Sequence, residues 1–176
     1  MENGFWKNKS VANFVSNTFL LEQIVRMEWE VYELKKTKNG LRYSFYSEGP
    51  PGRIGKVIEF QWMRGLGSST FNLAFGDFNE GTDLLDDRSV SNNHDRLKVL
   101  HTVAAAIIDF PEDHHQSIIL IKANTLPRIR LYQMMISSIW PAIERQYEVY
   151  GKRESDWAPF RKGVNYMEFL VFKKFK

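Results

Sequence analysis

Residues 90–132 read VSNNHDRLKVLHTVAAAIIDFPEDHHQSIILIKANTLPRIRLY: a polar turn, a helix, a buried strand, a second polar turn and a second helix. Leu97, Leu100, Ala104, Ile107 and Ile108 recur at helical spacing, with Val103 on the shoulder of the stripe. Asp95 stands just before it, where a carboxylate can accept from the first free N–H groups. Phe110-Pro111 is expected to end that helix, because proline disfavours helical geometry in the residue before it. Ser117-Ile118-Ile119-Leu120-Ile121 is a continuous apolar run of strand length, suited to a strand covered on both faces. Thr125 is placed as the N-cap of the second helix, with Pro127 in its first turn. Ile129, Tyr132, Met135, Ile136 and Ile139 form its apolar stripe.

Upstream, residues 10–27 are expected to form a helix, with Val11, Phe14, Val15, Thr18, Leu21 and Val25 on one face. Glu28–Lys36 alternates and reads as a strand. Asn39-Gly40 is a strong short hairpin signal, and Leu41–Ser47 returns as the partner strand. Glu48-Gly49-Pro50-Pro51-Gly52 is a rigid connection to a strand through Trp62, and Thr70–Phe78 is a fourth strand. Asn79–Asp87 is an acidic loop that lacks the ligand spacing of a calcium loop. Downstream, Trp140-Pro141 is expected to interrupt the second helix, Tyr147–Tyr150 to form a strand ended by Gly151, and residues 152–163 to form a loop with Trp157 and Phe160 tucked inward. Tyr166–Phe175 is the last strand. The expected architecture is α+β: a mixed, mainly antiparallel sheet, two core helices and an extra N-terminal helix. The expected division is an N-terminal extension over residues 1–31 and one domain over residues 32–176.

A chain of 176 residues with 43% hydrophobic and 26% charged residues can bury a substantial core. The 24 basic and 21 acidic residues are well mixed, so a net charge of +3 does not by itself demand a nucleic-acid partner. The absence of cysteine excludes disulfides, thiol nucleophiles and cysteine metal sites. His114-His115 has no third ligand at readable spacing, and no metal is expected. With no signal peptide and no run of transmembrane length, the expected setting is the cytoplasm, with no membrane partner.

Several blocks carry a family resemblance. They are Ser47-Glu48-Gly49-Pro50-Pro51-Gly52-Arg53-Ile54, then Lys56 and Phe60, and Phe71-Asn72-Leu73-Ala74-Phe75-Gly76-Asp77. Ser91-Asn92-Asn93-His94-Asp95, Lys98-Val99-Leu100, Arg128-Ile129-Arg130-Leu131-Tyr132, and Phe160 through Tyr166 with Phe169 follow in order. From Tyr32 to about Lys174 the chain resembles a family of short bacterial proteins of unknown function common in Bacteroidota. That family's pattern has Gly where this chain has His94, and a Gly-Ser-Thr turn where it has Ala123-Asn124-Thr125. The order of strands and helices, with Asn124 followed by Leu131-Tyr132, also resembles the GNAT acyltransferase fold. That second resemblance implies coenzyme A as cofactor, with Tyr132 as general acid toward the departing thiolate.

Each candidate residue also has a plain structural reading. Asn92, Asn93 and His94 are either a capped polar turn or hydrogen-bonding groups at a helix mouth. Arg128 and Arg130 are either surface partners of the acidic loop or, with Asn124, a site for phosphate or carboxylate, which the guanidinium fork suits. Tyr132 is a core aromatic or the acid just named. Arg53 and Lys56 are a solvated strand edge or a basic lip for phosphate or nucleic acid. The functional expectation is a small module that binds a phosphate-bearing ligand at the ends of the central strands, between the two helix mouths, oriented by Asn92, Asn93, Asn124 and Arg128, with acyl transfer from acyl-CoA as its enzymatic form. The alternative is a non-catalytic module that binds nucleic acid or protein through Arg53, Lys56, Lys122, Arg128 and Arg130, as in a toxin–antitoxin or defence pair. A third expectation is a scaffold used only for protein contact.

Overall fold

The computed structural model describes residues 13–14, 22, 27–66, 69–79, 84–86 and 93–174. The described residues form an α+β structure, with a mixed sheet and two long helices among them. The strands are β1 (Asn13–Phe14), β2 (Lys35–Lys36), β3 (Arg42–Gly49), β4 (Gly52–Trp62), β5 (Thr70–Asn79) and β6 (Leu84–Asp86), then β7 (Ile118–Lys122), β8 (Tyr147–Arg153), β9 (Asp156–Pro159) and β10 (Glu168–Lys173). Helix α1 spans Arg96–Asp113 and α2 spans Leu126–Ile143. Packing divides the chain into two compact units, residues 1–59 with 74–110 and residues 60–73 with 111–176. No helix among the described residues is long and apolar enough to cross a membrane.

In the first unit β3 and β4 form a hairpin with Gly49 opposite Gly52 across Pro50-Pro51. Tyr43 and Phe45 alternate inward from β3, while Val57 and Ile58 are buried on β4. The Asn39-Gly40 turn forms as expected. Thr37 N–H donates to the Arg42 carbonyl at 2.9 Å, and Gly40 takes a φ of 67° that glycine tolerates without cost. Residues 28–34 depart from expectation, because only Lys35 and Lys36 pair with β3. The earlier residues form an irregular strap held to α1. Trp29 stacks on His101 with ring centroids 5.2 Å apart, and Tyr32 N–H donates to Thr102 Oγ1 at 2.9 Å. Of the expected N-terminal helix, most residues lie outside the described ones, and Asn13–Phe14 is a strand paired with β2.

Helix α1 is buried all round from His101 to Pro111, although its sequence shows one apolar stripe. The polar residues on its other faces are satisfied locally. Thr102 Oγ1 donates to the Lys98 carbonyl at 2.7 Å. Asp109 accepts from Lys36 Nζ and from Tyr43 Oη, both at 2.9 Å. Leu97, placed in the stripe by spacing, is instead 60% exposed. Pro111 does not end α1, which continues to Asp113. A proline in the last turn removes one donor, and burial of Ile107, Ile108 and Phe110 keeps the helix intact around it.

In the second unit β7 pairs with β10, β10 with β8 and β8 with β9, all antiparallel. The parallel pairing of β5 with β7 covers Thr70–Asn72 opposite Ile118–Leu120. Ile119, Leu120 and Ile121 are all buried, as their unbroken apolar run implied. Helix α2 packs Ile129, Tyr132, Met135, Ile136, Ile139, Ala142 and Ile143 inward, and Pro141 sits inside its last turn without interrupting it. Strand β8 runs through Gly151 to Arg153, then turns at Glu154 into β9 where a plain loop was expected. A Cβ on Gly151 would lie 2.2 Å from the Tyr166 ring, so glycine lets that ring lie on the strand. Phe160 is buried beside Tyr166, whereas Trp157 stays 37% exposed and faces Lys152.

Candidate functional site in the first unit

The β3–β4 turn carries Ser47, Gly49, Gly52 and Arg53, and the approach to α1 carries Asn93, His94 and Asp95. Asn93 binds these two segments together. Its Nδ2 donates to Ser47 Oγ at 2.8 Å and to the Gly52 carbonyl at 3.0 Å. Ser47 Oγ, fully buried, in turn donates to Asp95 Oδ2 at 2.6 Å. Tyr32 Oη donates to the same oxygen at 2.7 Å and accepts from Glu48 N–H at 3.1 Å. Asp95 also starts α1, its carbonyl accepting from Val99 N–H at 3.0 Å. One carboxylate oxygen therefore collects two hydroxyl donors. Burial raises the Tyr32 phenol above the usual tyrosine value; the Glu48 backbone bond lowers it, and the Asp95 bond raises it. The phenol is thus held as a neutral donor.

Gly49 has a steric reason to be glycine, since a Cβ there would lie 2.0 Å from the Asn93 carbonyl. His94 has a φ of 61° and is exposed. That left-handed conformation favours glycine. Asn93 Oδ1 is buried with no hydrogen-bond partner among the described residues.

Beside this network the strap diverges from β3 and leaves a cleft of about 270 Å3. Val31, Tyr32, Glu33 and Lys35 form one side, and Ser44, Phe45, Tyr46, Glu48, Arg53 and Lys98 complete it. Two cations lie over tyrosine rings. Lys98 Nζ is 4.3 Å from the Tyr32 centroid, and the Arg53 guanidinium carbon is 3.7 Å from that of Tyr46. Tyr32 also stacks with Phe45. Arg53 is also 3.8 Å from Glu48, with both side chains mostly exposed, so their pairing adds little stability and can be exchanged.

The sequence candidates separate accordingly. Asn93, His94 and Arg53 come together around this turn, while Asn92 lies outside the described residues. Lys56 is only 6% exposed and is ion-paired with Asp77, so it forms neither a solvated edge nor an open basic lip. Asn124, Arg128, Arg130 and Tyr132 belong to the second unit. There Asn124 and Arg130 are exposed, Arg128 is half-buried, and Tyr132 is buried on the inward side of α2. Thr125 occupies the N-cap with extended backbone, but its side chain makes no capping bond. Tyr32, Tyr46 and Lys98 escaped prediction as site residues. The block Lys98-Val99-Leu100 was visible, but its partner Tyr32 lies 66 residues away on a segment that reads as an ordinary strand.

Residues 28–174 match a protein-family model described as a family of unknown function. No curated protein and no solved structure matches the chain.

Proposed function

We propose, for a chain that belongs to this family of unknown function (DUF6934), that it is a binding module for a phosphate-bearing ligand, seated in the cleft between the strap and β3. The supporting observation is the placement of Lys98. It lies in the first turn of α1, just after Asp95, and its ammonium lines the cleft over Tyr32. A cation there opposes the dipole, and a bound anion offsets that cost. Arg53 adds a guanidinium on the same cleft, held by Tyr46 rather than committed to a buried ion pair. Asn93, Ser47 and Asp95 fix the turn that presents it.

Coenzyme A is the first candidate ligand. The order β5–α1–β7–α2–β8, with β5 and β7 parallel, supports a GNAT-like topology, and acyl transfer is the enzymatic form of the proposal. A bacterial, cytoplasmic setting belongs to the same proposal. The extended basic face needed by the nucleic-acid reading is less favoured, because Lys56 is buried against Asp77. The test is thermal stability of the purified protein with coenzyme A, acetyl-CoA, ATP and a short RNA. A ligand at ~100 times its Kd adds roughly 2.7 kcal/mol to the folded state. The expected result is a rise with the phosphate-bearing small molecules that Lys98→Ala and Arg53→Ala reduce. A rise with RNA alone, or none with any phosphate compound, overturns it.

A further inference from the structure

We infer that the cleft recognises a mononucleotide unit, a planar ring carried on a phosphorylated sugar, rather than phosphate alone. This rests on the phosphate-binding reading above and specifies its ligand class. The lining is of mixed charge, with Lys35, Arg53 and Lys98 set against Glu33 and Glu48. A site for a bare anion gains nothing from two carboxylates on its wall, which repel the anion and stay hydrated. A nucleotide satisfies both sets, with its phosphate on the cations and its hydroxyl or amine donors on the carboxylates.

The aromatic groups supply the third requirement. Arg53 brings its guanidinium carbon within 3.7 Å of the Tyr46 ring centroid, and its side chain is 63% exposed. A guanidinium stacked on one side and open to solvent is a platform for a second planar group. The Tyr32 ring is already engaged, stacked with Phe45 and approached by the Lys98 ammonium, so it serves as a wall and not as the stacking surface. The strap turns away from β3 beyond the Lys35–Ser44 pair, so the fork admits a flat ligand from its open end. A volume of about 270 Å3 lies at the small end for ligand sites, which limits the occupant to a unit no larger than one nucleotide and leaves no room for a folded polynucleotide segment.

The experiment is calorimetric titration of the full chain, at one salt concentration, with AMP, adenosine, ribose 5-phosphate and inorganic phosphate. AMP is expected to bind at least about tenfold more tightly than ribose 5-phosphate and than adenosine. Tyr46→Leu should reduce AMP to the level of ribose 5-phosphate, and Lys98→Gln should reduce it to the level of adenosine. Arg53→Gln, at an exposed position that cannot disturb the core, should weaken both AMP and ribose 5-phosphate. If AMP and ribose 5-phosphate bind equally, the nucleotide assignment is overturned and the phosphate reading stands. If neither binds, both are overturned. If adenosine binds as tightly as AMP, the ring is recognised without the phosphate, and both are again overturned.

Discussion

Asn93 is the residue on which the first unit's polar turn depends, because its amide bridges Ser47 and Gly52 within a buried setting. Replacing it by alanine leaves the Ser47 hydroxyl short of a donor and the Gly52 carbonyl without that bond. Asn93→Ala is expected to destabilise the protein by about 1–3 kcal/mol, read from the midpoint of urea unfolding. Gly49→Ala should be at least as damaging, because a new methyl would meet the backbone of Asn93 rather than a movable side chain. His94 is the opposite case. Its left-handed backbone carries a strain that glycine relieves, partly offset by the greater freedom of glycine in the unfolded chain. His94→Gly is expected to stabilise by about 0.5 kcal/mol, and a lower unfolding midpoint would reject this account of the position.

At the scale of elements, the strap over residues 28–34 gains its order from α1 rather than from a strand ladder. The Trp29–His101 stack, the Tyr32–Thr102 bond and the Tyr32–Asp95 bond hold it. Burial lowers the His101 pKa, partly opposed by the bond its ring makes to the Glu30 backbone. The docked state therefore binds a proton less readily than a state in which the strap has left α1 and His101 is solvated, where the ordinary histidine value of about 6.5 applies. Docking is strongest above that value and weakens as pH falls through and below it. Amide exchange over residues 28–34, corrected for its intrinsic pH dependence, should accelerate on going from pH 7.5 to pH 5.5. In His101→Phe, which keeps a ring to stack on Trp29, that acceleration should disappear. Its persistence would place the titrating group elsewhere. The two prolines make a second point at this scale. Pro111 and Pro141 read as helix ends, yet both lie in last turns whose neighbours are buried, and there packing outweighs one missing donor.

For the whole molecule, the mixed charge predicts how binding responds to salt. With a net charge of +3, and Lys56 turned inward, the proposed small-ligand site makes one or two phosphate contacts. AMP affinity should then fall by less than about tenfold between 50 and 200 mM salt, whereas a protein making six or more phosphate contacts loses roughly a thousandfold or more. Titrations at the two concentrations check this. The sequence by itself determined the α+β class, the two long helices, the doubly covered strand at Ile118–Ile121 and the hairpin at Asn39-Gly40. Each is signalled within a few residues by periodicity or by turn chemistry. Tertiary structure alone decided that Glu28–Leu34 leaves β3 for α1, that Lys56 is buried and that Leu97 is exposed. It also brought Tyr32, Ser47, Asn93 and Asp95 into one hydrogen-bonded group across as many as 63 positions of chain. Alternation in a short segment does not specify which neighbour will satisfy its polar groups. That choice depends on which donors and acceptors the folded chain brings within hydrogen-bonding distance, away from competing water.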